Sequence, residues 1–119
     1  MYSRQVLDHF EQPRNAGVVV SPDASAEVEN PACGDVLTLT AKLMDGRIAE
    51  IKFLAQGCVP AIACGSALTE LVIGKTLMDV AKVSREELVR ELGGLPEAST
   101  HASHLAMDAL TVLLRKITE

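Results

Sequence analysis

The chain has 119 residues, 48% of them hydrophobic, and a formal net charge of −5 at pH 7. That length suits one domain, residues 1–119, around one modest core, and an acidic balance without a Lys/Arg cluster excludes a nucleic-acid footprint. No segment reaches the length of a membrane span, and Asp8 and His9 stand where a signal peptide needs an apolar run, so a cytoplasmic protein is expected. In that compartment Cys33, Cys58 and Cys64 are read as thiols or metal ligands rather than disulfides.

In chain order, residues 2–11 read as a short amphipathic helix with Tyr2, Val6, Leu7 and Phe10 on one side, ended by Pro13 and the turn "QPRNAG". The polar stretch that follows holds a short edge strand near Ala26 to Glu29. Two stronger strands, "DVLTLTAKLM" and "RIAEIKFLAQ", are joined at Asp45-Gly46. A two-residue loop pairs Met44 with Arg47 and puts the apolar sides of the strands on opposite faces. A three-residue loop pairs Leu43 with Arg47, sets Leu39 against Ile51 and Leu37 against Phe53, and makes one face apolar on both strands. The second register is the expected one. It places Cys33 opposite Gly57, whereas the first places it opposite Cys58, so either brings the two cysteines together at the open end of the hairpin.

"VPAIACGSALTELVIGK" reads as a helix with Pro60 in its first turn, Gly74 at its stop, and a stripe of Ala61, Cys64, Leu68 and Leu71/Val72. A short helix begins near Thr76. Ser84 with Glu87 three residues on is a capping-box signature for "REELVREL", closed by Gly93-Gly94. The last helix runs from about His101 to Thr118, capped by Ser99 or Thr100, with Leu105, Ala109, Val112, Leu113 and Ile117 on its core face. The fold class is α+β: a small antiparallel sheet of about three strands with helices packed on one side.

Several groups can carry chemistry. Cys33 lies in the Pro/Gly-flanked loop "NPACGD" with Asp35 two residues on. Cys58 immediately precedes a helix, where free backbone N–H groups and the positive dipole end favour a thiolate. Two thiols brought together from separate strands argue for a site. Cys64, on the apolar stripe, reads as a core residue. In "THASHLA", His101 and His104 share one helix face, as a metal pair would need, and the helix start favours neutral imidazole at His101. Histidines at helix starts are often merely solvated. His9 reads as a surface or packing histidine.

The stretches "VLDHFEQPRNAG", "NPACGD", "FLAQGCVPAIACGSALTELVIGK" and "LPEASTHASHLAMDAL", in this order, cover nearly the whole chain and resemble the IscU/NifU family of iron–sulfur cluster scaffold proteins. The resemblance implies a [2Fe–2S] cluster or iron held by Cys33, Asp35, Cys58 and His101, sulfur delivered by a cysteine desulfurase, and transfer to apo iron–sulfur acceptor proteins. Asp35 is the aspartate the family associates with a transferable cluster. Family members follow the histidine with a third ligand cysteine, and here Ala102 occupies that place. The chaperone-docking stretch Leu-Pro-Pro-Val-Lys reads "LPEAS", with Ser99 at the lysine position, which argues against a dedicated Hsp70 partner. Cys64 stands where a small residue such as serine is expected.

Three functions compete. The first is a cluster scaffold with an altered site, for which mixed Cys/His ligation is chemically sound. The second is a non-assembling relative that holds zinc on the same two thiolates, imidazole and carboxylate, in a structural or regulatory role. The third is an enzyme with Cys58 as nucleophile and His101 as base, ranked last because the sequence reveals neither substrate pocket nor oxyanion donors. The homo-oligomeric state stays open.

Overall fold

A computed structural model describes residues 1–31 and 34–119; Ala32 and Cys33 lie outside the described residues, and so does the expected pairing of Cys33 with Gly57 or Cys58. The elements are α1 (Arg4–Glu11), β1 (Ala24–Glu29), β2 (Val36–Met44), β3 (Arg47–Gln56), α2 (Val59–Val72), α3 (Leu77–Val80), α4 (Arg85–Glu91) and α5 (Thr100–Ile117), with a turn of 3₁₀ helix at Glu97–Ser99 leading into α5. The sheet is antiparallel in the order β1-β2-β3. Its rows run Ala26–Leu39–Phe53 and Ala24–Ala41–Ile51 across the strands. Alternation then sends Leu37, Leu39, Ala41, Ile51 and Phe53 to one buried face, while Glu27 and Leu54 look outward. Over the buried face, α5 lies on β1 and β2, and α2 lies on β3 and against α1 and α5. The expected α+β architecture is therefore present.

Local chemistry sets the helix limits. Ser3 Oγ accepts from the Val6 N–H at 3.0 Å and also donates to the Leu92 carbonyl, tying α1 to the end of α4. Thr76 and Ser84 cap α3 and α4 by accepting from the Asp79 and Glu87 N–H groups, both at 3.1 Å. Ser99 occupies the N-cap position of α5 without a side-chain capping bond, and Thr100 Oγ1 instead donates back to the Glu97 carbonyl at 2.9 Å. The hydroxyl cap expected there is replaced by the 3₁₀ turn, whose Glu97 carbonyl takes the Thr100 hydroxyl.

The hairpin corrects the expected register. Asp45 (φ 53°) and Gly46 (φ 73°) form a two-residue turn that pairs Met44 with Arg47 and Leu43 with Ile48. Ala49 is then passed over, and from Lys42–Glu50 onward Ala41 pairs with Ile51 and Leu39 with Phe53. A bulge after a tight turn gives the same facing as a three-residue loop, so the common apolar face survives while each partner moves by two residues. The residue before the bulge also has partners outside the hairpin. Ile48 N–H donates to the Lys75 carbonyl (3.0 Å) and Gly74 N–H to the Ile48 carbonyl (2.7 Å), so the segment after α2 engages the start of β3.

Two further expectations change. In α1 the buried residues are Val6 and His9, while Leu7 and Phe10 are exposed. And α2 is not striped but buried on nearly every side, from Pro60 through Thr69, because sheet, α1 and α5 surround it.

Candidate metal centre

The β2–β3 ladder builds the site. Its last pair, Val36–Gln56, sets Asp35 beside Gly57 and Cys58 at the point where β3 gives way to α2. Across the preceding loop, Asn30 and Asp35 are joined by an Asn30 N–H to Asp35 carbonyl bond of 2.8 Å. The first turn of α5 arrives from above with His101. Asp35 is buried, and Cys58 and His101 are half-buried.

Cys58 Sγ lies 3.2 Å from Asp35 Oδ2 and 3.8 Å from His101 Nε2, and His101 Nε2 lies 3.6 Å from Asp35 Oδ2. One sulfur, one nitrogen and one oxygen from three elements thus lie within 4.8 Å of one another. The other ring nitrogen, Nδ1, is 3.2 Å from the Ala98 carbonyl oxygen. A carbonyl only accepts, so in the neutral ring Nδ1 carries the proton and the Nε2 lone pair faces the thiol and carboxylate. Backbone orientation of a ligating imidazole through its far nitrogen is the usual outer arrangement of metal sites.

The Cys58 thiol departs from expectation. Burial pushes its pKa up; the Ala61 backbone N–H opposes that rise, and the hydrogen bond and charge of Asp35 add to it. The helix-start effect that favours thiolate is present and is outweighed, since desolvation and a neighbouring carboxylate both disfavour a second negative charge. The thiol therefore keeps its proton, donated to Asp35 Oδ2, until a cation displaces it.

Of the sequence-derived candidates, Asp35, Cys58 and His101 converge; Cys33 is outside the described residues. His104 does not join them: it is exposed and lines a neighbouring cavity of about 260 Å³ with His101, Glu29 and Asp108. Cys64 is fully buried, with its thiol pushed up to about 12 chiefly by burial, as a core cysteine should be. Ala102 is buried in the core. His9 is a packing histidine, its Nδ1 2.7 Å from Ser66 Oγ. Sequence reasoning missed Gly57, whose backbone lies against the Asp35 carboxylate; the available signal was a glycine directly before a cysteine at a strand–helix junction.

The comparisons with known proteins identify the family and the fold. A family model described as "NifU-like N terminal domain" matches residues 1–118. The "Iron-sulfur cluster assembly scaffold protein IscU 1" of Archaeoglobus fulgidus is 46% identical over 110 residues, which span 92% of this chain and 72% of that protein. The "Iron-sulfur cluster assembly scaffold protein IscU" of Aquifex aeolicus is 37% identical over 116 residues, spanning 96% of this chain and 74% of that protein. Among solved structures, the N-terminal part of a nitrogen-fixing NifU-like protein from Brucella abortus superposes with a TM-score of 0.79 at 22% identity, covering 98% of this chain and 93% of that one; this likeness bears on the fold.

Proposed function

The chain belongs to the NifU-like N-terminal domain family, and from that membership we propose that it is an iron–sulfur cluster assembly scaffold whose cargo is carried by Asp35, Cys58 and His101 together with Cys33. The observation that supports this most is the convergence of thiol, carboxylate and imidazole within 4.8 Å at the junction of β2, β3, α2 and α5. Thiolates suit the cluster irons, and the imidazole is already turned with its free nitrogen inward. Asp35 supplies a harder, exchangeable donor, consistent with a cluster meant to leave.

In this reading iron and sulfur are the substrate, the sulfur coming from a cysteine desulfurase and the [2Fe–2S] product going to apo-proteins in the cytoplasm. The chain acts as a carrier rather than as an enzyme. Burial and Asp35 raise the Cys58 pKa, which does not favour a resting thiolate nucleophile. Anaerobic addition of ferric iron and sulfide, followed by the visible spectrum, tests the proposal. Cluster absorbance that Cys58→Ala abolishes is expected; a wild-type protein without any such absorbance overturns it.

One observation favours a second reading, a zinc-holding relative that does not assemble clusters. A neutral imidazole, a carboxylate and thiolates make a four-coordinate zinc set as readily as a cluster set. Zinc retained through reconstitution, with no cluster formed at any iron excess, would select it.

A further inference from the structure

Gly57 sits between the last ladder residue, Gln56, and the α2 N-cap, Cys58, with φ at +153°, a backbone region L residues rarely adopt. A Cβ built on it would overlap Asp35 Oδ1, stand 2.5 Å from Asp35 Cγ and 3.0 Å from Asp35 Cβ. The carboxylate thus occupies the volume that any other residue would fill at position 57. That placement lets a carboxylate with 6% exposure bring Oδ2 to 3.2 Å from Cys58 Sγ and 3.6 Å from His101 Nε2.

We propose that Gly57 is the positioning residue of the metal centre: its missing side chain admits the Asp35 carboxylate, and any larger residue there turns the carboxylate out. The inference rests on the reading of Asp35 as a ligand. Asp35 immediately precedes β2 and cannot retreat as a flexible surface chain would, since its carbonyl accepts from Asn30 N–H and its neighbour Val36 is paired on both sides. A methyl group at position 57 must therefore be relieved by rotating the carboxylate away from Cys58, which leaves a centre with its thiolates and imidazole alone.

Two costs of Gly57→Ala must be separated, the strained φ and the collision. Gly46 supplies the control, because it also has a positive φ (+73°) yet a Cβ there meets nothing within 4 Å. The experiment measures zinc affinity by chelator competition, and the cobalt(II) absorption spectrum, for wild type, Gly57→Ala, Asp35→Ala, the double variant and Gly46→Ala. Gly57→Ala and Asp35→Ala should weaken zinc by the same factor, at least the roughly 10-fold that loss of even an outer partner costs. The double variant should be no weaker than Asp35→Ala, the cobalt spectra of Gly57→Ala and Asp35→Ala should coincide, and Gly46→Ala should bind as wild type does.

Should Gly57→Ala fold poorly, thermal melts of Gly57→Ala with and without Asp35→Gly decide. Deleting the Asp35 side chain should raise the melting temperature of Gly57→Ala and lower that of wild type. Wild-type affinity and spectrum in Gly57→Ala, fully additive affinity losses, or an unrescued melt each overturn the proposal. Wild-type zinc affinity in Asp35→Ala overturns the ligand reading instead, and the melts still test the contact.

Discussion

One helix, α2, carries two polar neighbourhoods that differ in the balance of their hydrogen bonds. Around its middle, Ser66 Oγ accepts from Arg14 N–H at 2.8 Å and bonds His9 Nδ1 at 2.7 Å, and Thr69 Oγ1 accepts from Asn15 Nδ2 at 3.1 Å while donating to the Ser66 carbonyl at 2.7 Å. Donors and acceptors match, and the result clips the turn after α1 onto a buried helix. At its N-terminal end, a thiol sulfur, a carboxylate and an imidazole lone pair face each other at 3.2 to 3.8 Å with one S–H proton among them. Even with that proton donated to Asp35, the sulfur, oxygen and nitrogen hold more lone pairs than donors, and a cation that displaces the proton can engage all three. Balanced polar burial is architecture here; surplus acceptors are a binding site.

The largest effect expected from that contrast is on metal binding. Cys58→Ala should weaken zinc by more than about 100-fold, since a first ligand matters more than the outer partners that cost about 10- to 100-fold. The metal-free protein should change in stability by less than about 1 kcal/mol, because the side chain is only half-buried. Chelator competition and urea unfolding measure the two quantities, and a large loss of metal-free stability would blur the distinction between the neighbourhoods. The mirror variant is His9→Ala. It strips one of two partners from a fully buried Ser66 hydroxyl and opens a cavity, so it should cost about 2–3 kcal/mol in urea while leaving zinc affinity unchanged.

Acidification should separate the regions again, through two different readouts. Because the Cys58 thiol holds its proton, zinc must expel it, and affinity should fall about tenfold per pH unit for each proton released. The effect of His9 falls on folding instead. Burial first, with Arg14 adding, lowers its pKa below the ordinary value of 6.5, against the opposing pull of Glu70, Asp8 and Glu91. The unfolded chain therefore takes this proton before the folded one does. Stability is fully present above pH 6.5 and is lost as pH falls from there through the folded-state pKa. His9→Gln should flatten that part of the stability–pH curve; an unchanged slope would place the dependence elsewhere.

What the sequence makes legible follows from how local the cause is. Thr76, Ser84 and the glycines after α2 and α4 announce helix limits because capping is decided within a turn. Facing within the hairpin is legible too, since an apolar side must meet a core. The register is not: the bulge at Ala49 adjoins Ile48, whose backbone bonds to Gly74 and Lys75, partners that no local pattern announces. His9 hides for the same reason, because its partner Ser66 belongs to another helix and Leu7 and Phe10 offer a more apolar stripe. At the site, the residue types Asp35, Cys58 and His101 are readable from the motifs. The protonation of Cys58 needs the distance to Asp35, and the role of Gly57 needs the volume between them.

The smallest effect expected concerns Ala102, where the family resemblance implies a cysteine. Neutral His101 beside a missing thiolate leaves less negative charge around a cluster's irons, so cluster on the wild-type protein should be short-lived and readily displaced by zinc. Ala102→Cys should lengthen its lifetime, but only severalfold. Ala102 is 1% exposed and packs in the core with Leu105 and Ala106, so a sulfur there must first crowd the packing beneath α5 and then draw the first turn of that helix toward Cys58. Inserting one heavy atom into a filled core costs about 1 kcal/mol at the low end of such changes, and that cost subtracts from the ligand's gain. Decay of the visible absorbance after identical anaerobic reconstitution compares the two proteins, with urea unfolding reporting the packing cost. A folded Ala102→Cys protein whose cluster decays as fast as wild type would falsify the lost-thiolate account, and would mean that the first turn of α5 is held by its core face and not by the centre it borders.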